Sequence, residues 1–68
     1  MKLSARNVLK GTVIEVTKGA VNAIVRIDIG GAVVSSSITI SAVEELGLTV
    51  GEEAYAVIKA SDVMIGGD

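Results

Sequence analysis

Along this chain Val, Ile and Thr recur in short runs broken by Gly at intervals of roughly 8–12 residues, the pattern of a small all-β domain. Residues 11–17 read as a first strand, and Thr17-Lys18-Gly19-Ala20 supplies the Gly that a tight turn needs. In the second strand Val21, Ala23, Val25, Ile27 and Ile29 alternate with Asn22, Ile24, Arg26 and Asp28, giving one apolar and one mostly polar face. Gly30-Gly31 is a type I′ hairpin signal. The returning strand places Val34, Ser36, Ile38 and Ile40 on one face and Val33, Ser35, Ser37 and Thr39 on the other. Ser41-Ala42-Val43-Glu44 then matches a capping box, with Ser41 as the N-cap of a short helix that Gly47 ends. A turn over 49–52 leads to a strand over 53–59 and a last one over 62–65, before a frayed Gly66-Gly67-Asp68. This order predicts a small OB-like Greek-key barrel with one short helix between the third and fourth strands, filling one domain over residues 1–68. The rival SH3-like barrel seldom carries a capped helix there.

Composition narrows how such a barrel can be stable. The 68 residues include no Cys, His, Pro, Trp or Phe, and Tyr55 is the only aromatic. At this size a lone core supplies only ~3–5 kcal/mol, and its Val, Ile, Ala and Leu lack the area of aromatic rings. Disulfides are impossible and a zinc site is disfavoured, so association with further copies of the chain is the remaining support. A formal charge of −2 and a pI near 4.9 argue against a nucleic-acid binder, which needs a basic excess and stacking aromatics. No apolar run approaches the ~18 residues of a membrane span, and Met1-Lys2-Leu3-Ser4 leads into polar residues, so an intracellular chain without a membrane partner is expected.

Candidate chemistry is sparse. No Ser, Thr or Lys sits in an activating context, and the adjacent pairs Glu44-Glu45 and Glu52-Glu53 do not face one another on a helix or a strand, so no catalytic residue is assigned. Walker, dinucleotide and calcium motifs are absent, and no cofactor is expected. Two clusters pair a cation with a hydroxyl: Ser4-Ala5-Arg6-Asn7 and Lys59-Ala60-Ser61. Arg and Lys donate charge-assisted hydrogen bonds while Ser hydroxyls and loop N–H groups add donors, which suits a tetrahedral oxyanion. Ordinary surface charge accounts for the same residues equally simply. Thr39 on its own reads as an exposed strand residue, and Ser41 as a cap.

Three ordered blocks carry a resemblance over nearly the whole chain: Ser4-Ala5-Arg6-Asn7-x-Leu9-Lys10-Gly11, Val43-Glu44-Glu45-Leu46-Gly47, and Val57 through Ile65, which includes Lys59-Ala60-Ser61-Asp62. Together they resemble the molbindins, small cytoplasmic proteins of the TOBE type that bind molybdate or tungstate. The resemblance implies an OB-like barrel assembled as a homohexamer, a trimer of dimers, with anions held between subunits. It implies that Ser4 and Arg6 of one subunit meet Lys59, Ala60 and Ser61 of another, with Thr39 contributing from the end of its strand. Where relatives often have Ser after the position of Ser41, this chain has Ala42, so one hydroxyl donor is missing. A second kind of anion site on the threefold axis, near Lys18, Gly19 and Ala20, is also implied, without a residue-by-residue match.

The function expected is cytoplasmic binding and storage of molybdate or tungstate as an oxyanion, with no metal held as a free cation and no catalytic step. A sensing module acting on a partner protein is one alternative, disfavoured by the absence of a helix-turn-helix segment or an ATPase. An OB-fold binder of single-stranded nucleic acid is the other, disfavoured by acidic charge and a single aromatic.

Overall fold

The computed structural model describes residues 1–68. Strand β1 (Asn7–Lys18) is followed by β2 (Asn22–Asp28), β3 (Val33–Thr39), helix α1 (Ile40–Leu46), β4 (Glu53–Ile58) and a single 3-10 turn (Ala60–Asp62). The strands form one curled antiparallel sheet in the order β3-β2-β1-β4, an all-β, OB-like arrangement with its helix between the third and fourth strands.

The β2–β3 hairpin follows from its sequence. Ala23, Val25 and Ile27 are buried while the residues between them are exposed. Gly30 and Gly31 both have positive φ, 89° and 99°, and the Ile29 N–H donates to the Ala32 carbonyl at 3.0 Å, closing the tight turn expected of that pair.

Strand β1 begins earlier than residues 11–17 suggest, because Asn7 to Thr12 pair with β4, a long-range partner that local pattern does not reveal. Further on, its register against β2 shifts between Val13 and Glu15, a bulge that leaves Ile14 unpaired and half exposed. The extra residue reverses which parity faces inward. Val13 stands opposite Ile27 and Val16 opposite Val25, all turned to the core, while Glu15 and Arg26 meet outside in an ion pair at 3.8 Å.

Two local expectations need correction. The helix is capped by Thr39, whose Oγ1 accepts from the Ala42 N–H at 3.1 Å, and Ser41 lies inside the first turn. Strand β3 runs straight into α1. Its last ladder pair, Asn22 with Thr39, holds Thr39 in the extended conformation a cap requires, and the next residue already donates from its N–H to Val21 O. Ala42 then occupies the position where a capping box needs a carboxylate, so none forms. Gly47 ends the helix in the left-handed conformation as expected.

The second correction concerns the final strand over 62–65. Strand β4 stops at Ile58; the chain then turns, with Asp62 N–H donating to Lys59 O at 2.9 Å, and residues 63–65 have no strand partner. Val63 is backbone-extended, yet Met64 and Ile65 are over nine-tenths exposed. An apolar run becomes a strand only where an edge is available to pair with it.

The core is small. Val13, Ala23, Val25, Ile27, Val43, Ala54 and Ala56 are the only buried residues, and Val16, Ile29, Ile38, Ile40 and Leu48 pack around them. Helix α1 contributes Val43 to this cluster and lies against β2 and β3.

Candidate functional site

The β1–β4 ladder ends at Asn7 opposite Ile58, and the Asn7 side-chain amide donates to the Ile58 carbonyl at 3.2 Å, fastening that end. Arg6 and Lys59 each lie one residue beyond this last ladder pair, and both are exposed. Ser4 follows on one side, while Ala60 and Ser61 open the 3-10 turn on the other. All five residues are exposed. Within one chain the two clusters, which the resemblance assigns to different subunits, adjoin the same end of the ladder.

Electrostatically this end is uncommitted. Lys10 pairs with Glu53 at 3.2 Å and Arg26 with Glu15, whereas neither Arg6 nor Lys59 has a carboxylate within ion-pair distance. Two free cations, two hydroxyls and the turn's N–H groups form a donor set suited to an anion with acceptors on every side. No group of three or more His, Cys, Asp or Glu is placed to hold a metal cation.

Thr39 is not brought to this end. It pairs with Asn22, which follows the β1–β2 turn, so the 12-residue length of β1 separates it from Arg6 along the sheet. Its Oγ1 accepts the cap bond while its own O–H remains able to donate elsewhere. Lys18, Gly19 and Ala20 form the exposed turn at this same far end, closed by Gly19 N–H to Asn22 O at 2.8 Å. Asn7, which fastens the ladder beneath the cations, carried no sequence signal for that role, since its partner carbonyl lies 51 positions away.

Residues 3–65 match the model of the TOBE domain family. A probable molybdenum-pterin-binding protein of Haemophilus influenzae is 61% identical over 67 residues, covering 97% of each chain. A molybdate-binding protein from Sporomusa ovata superposes with a TM-score of 0.93 at 37% identity, over 98% of this chain and 100% of that one. ModG, described as a cytoplasmic molybdate-binding protein and solved with molybdate bound, superposes with a TM-score of 0.89 at 51% identity, over 94% of this chain and 46% of its own. By sequence and by fold, the chain belongs to the TOBE domain family and, within it, to the molbindins.

Proposed function

We propose that this protein binds molybdate or tungstate as the intact oxyanion and stores it in the cytoplasm, without catalysing a reaction. The observation that carries this reading is the delivery of Arg6 and Lys59, neither of them ion-paired, to one end of the β1–β4 ladder. In the proposed site Arg6 and Lys59 supply charge, Ser4 and Ser61 supply hydroxyls, and Ala60 supplies its backbone N–H. Thr39 joins from a second copy, because the length of β1 keeps it away from this end of its own chain. That division of donors fits a homohexamer built as a trimer of dimers, and the small core supports a need for neighbours. The relatives that bind molybdate support the ligand class.

Calorimetric titration of the assembled protein with molybdate, tungstate, sulfate and phosphate tests the reading. Molybdate and tungstate should bind tightly and saturably, with light scattering reporting six subunits. Absence of heat with both anions, from a folded hexamer, would refute the ligand; a stable monomer would refute the shared site.

A further inference from the structure

We infer that Asn7 is a positioning residue for the oxyanion site. By holding the Ile58 carbonyl, its side-chain amide fixes the point from which the segments carrying Arg6 and Lys59 leave the sheet, and so sets how readily an anion is taken up. The inference rests on the oxyanion reading above and adds to it a residue that acts without touching the anion.

On propensity alone Asn is a poor strand residue, and a β-branched side chain would serve the ladder better. Asn7 nevertheless opens β1, on the parity of Leu9, Gly11 and Val13, whose positions are half-buried or buried. Its partner Ile58 lines the apolar groove between the two sheet edges, β3 and β4. Of the five side-chain hydrogen bonds in the chain, four are exposed and join residues two or three positions apart. The Asn7 bond, 3.2 Å long, is part-buried, spans 51 positions and alone joins two strands.

Its place gives that bond leverage. Asn7 and Ile58 are the last pair of the β1–β4 ladder, and beyond them no ladder pair restrains either segment. Arg6 lies in a bend, and Lys59 is extended as it enters the 3-10 turn. The end of a ladder opens at the lowest cost in free energy, and each opening here releases Arg6 and Lys59 from their common starting point. An anion that needs both cations is captured only by the closed fraction, so the apparent dissociation constant rises as that fraction falls. Once the anion is bound, the same donors hold it whether or not Asn7 is present. The bond therefore governs capture and leaves release alone.

Two measurements test this. Asn7 and Asn22 are the only side-chain amides of their kind in the chain, so their magnetic-resonance signals stand apart from all others. In the unmodified protein the Asn7 amide protons should exchange with solvent more slowly than those of exposed Asn22, and equal exchange would overturn the proposal. This contrast needs no variant to fold and no oxyanion to bind. For the second, Asn7→Val and Asn7→Leu remove the amide, the former with a better strand former in its place. With assembly unchanged in light scattering, each should bind molybdate about fivefold more weakly, the factor that one ordinary net hydrogen bond represents. Radiolabelled molybdate should leave the variants, on dilution, at the parent's rate. Faster release would mark a lost direct contact and end the positioning role, as would unchanged affinity in both variants. A parent that binds neither molybdate nor tungstate would instead sink the oxyanion reading itself.

Discussion

Gly11 passes so close to Asp28 that a Cβ on it would collide with the Asp28 carbonyl oxygen and with Cγ2 of Ile27. The crowding arises where β1 has both neighbours, pairing with β4 through Gly11 and Thr12 while the last residue of β2, Asp28, pairs with Thr12 on the other side. Gly11→Ala should therefore destabilise by roughly 1–3 kcal/mol, the usual cost of overpacking. For a chain this short each kcal/mol lowers the thermal midpoint by about 4–8 °C. Calorimetric scans at equal protein concentration check it; a midpoint within 2 °C of the parent, about the resolution that the same scaling allows, contradicts the close approach.

The cap makes a separate prediction. Thr39→Ala removes the acceptor of the Ala42 N–H and should cost about 1 kcal/mol, whereas Thr39→Ser keeps the hydroxyl and most of the stability. Ser41→Ala should be nearly neutral by comparison, because Ser41 is not the cap. Urea unfolding of the three variants gives the order, and a larger loss at Ser41 than at Thr39 reverses the assignment.

For ligand binding, Arg6→Ala and Lys59→Ala should each weaken molybdate affinity by roughly 1.5–3 kcal/mol, about tenfold to a hundredfold. Ser4→Ala and Ser61→Ala should cost about 1 kcal/mol each, as neutral donors. Lys2→Ala and Lys10→Ala are the controls: the first is exposed and the second is already paired with Glu53, so screening leaves them little effect. Assembly is measured for every variant, because the proposed site is shared between copies. Equal losses at all four cations, with assembly intact, would reduce the site to the protein's general field.

Selectivity follows from a site made of donors. Molybdate accepts at every oxygen, whereas phosphate at neutral pH keeps a proton that needs an acceptor, and an unmet polar group in a closed site costs ~1–3 kcal/mol. Competition titration should find phosphate at least tenfold weaker, on the order of 1.4 kcal/mol. Equal affinity would require an acceptor that the donor set does not contain.

What could be read from the chain divides along the range of the interactions involved. The β2–β3 hairpin was legible because alternation and the Gly30-Gly31 turn are both local. The first half of β1 was not, since Asn7 and Lys10 interrupt any strand pattern and only β4, far along the chain, makes them one. Thr39 was legible as a strand residue but not as a cap, because the strand enters the helix without a loop to announce it. At the site, the cation and hydroxyl clusters stood out by residue type. Their adjacency did not, because it is created by the ladder between Asn7 and Ile58.

Tyr55 turns the shortage of aromatic rings into an experimental convenience. It is the only residue that absorbs appreciably near 280 nm, it lines the β3–β4 groove, and its hydroxyl donates to Glu53 at 3.2 Å. Ultraviolet emission from the unmodified protein thus comes from a single known place, free of the overlapping signals that burden most small domains. A chromophore at the groove, nearly half exposed in the isolated chain, reports what enters it. Dilution followed by its intensity and polarisation would time the separation of chains without a label, and addition of oxyanion in the same cuvette would show whether filling the site reaches the groove.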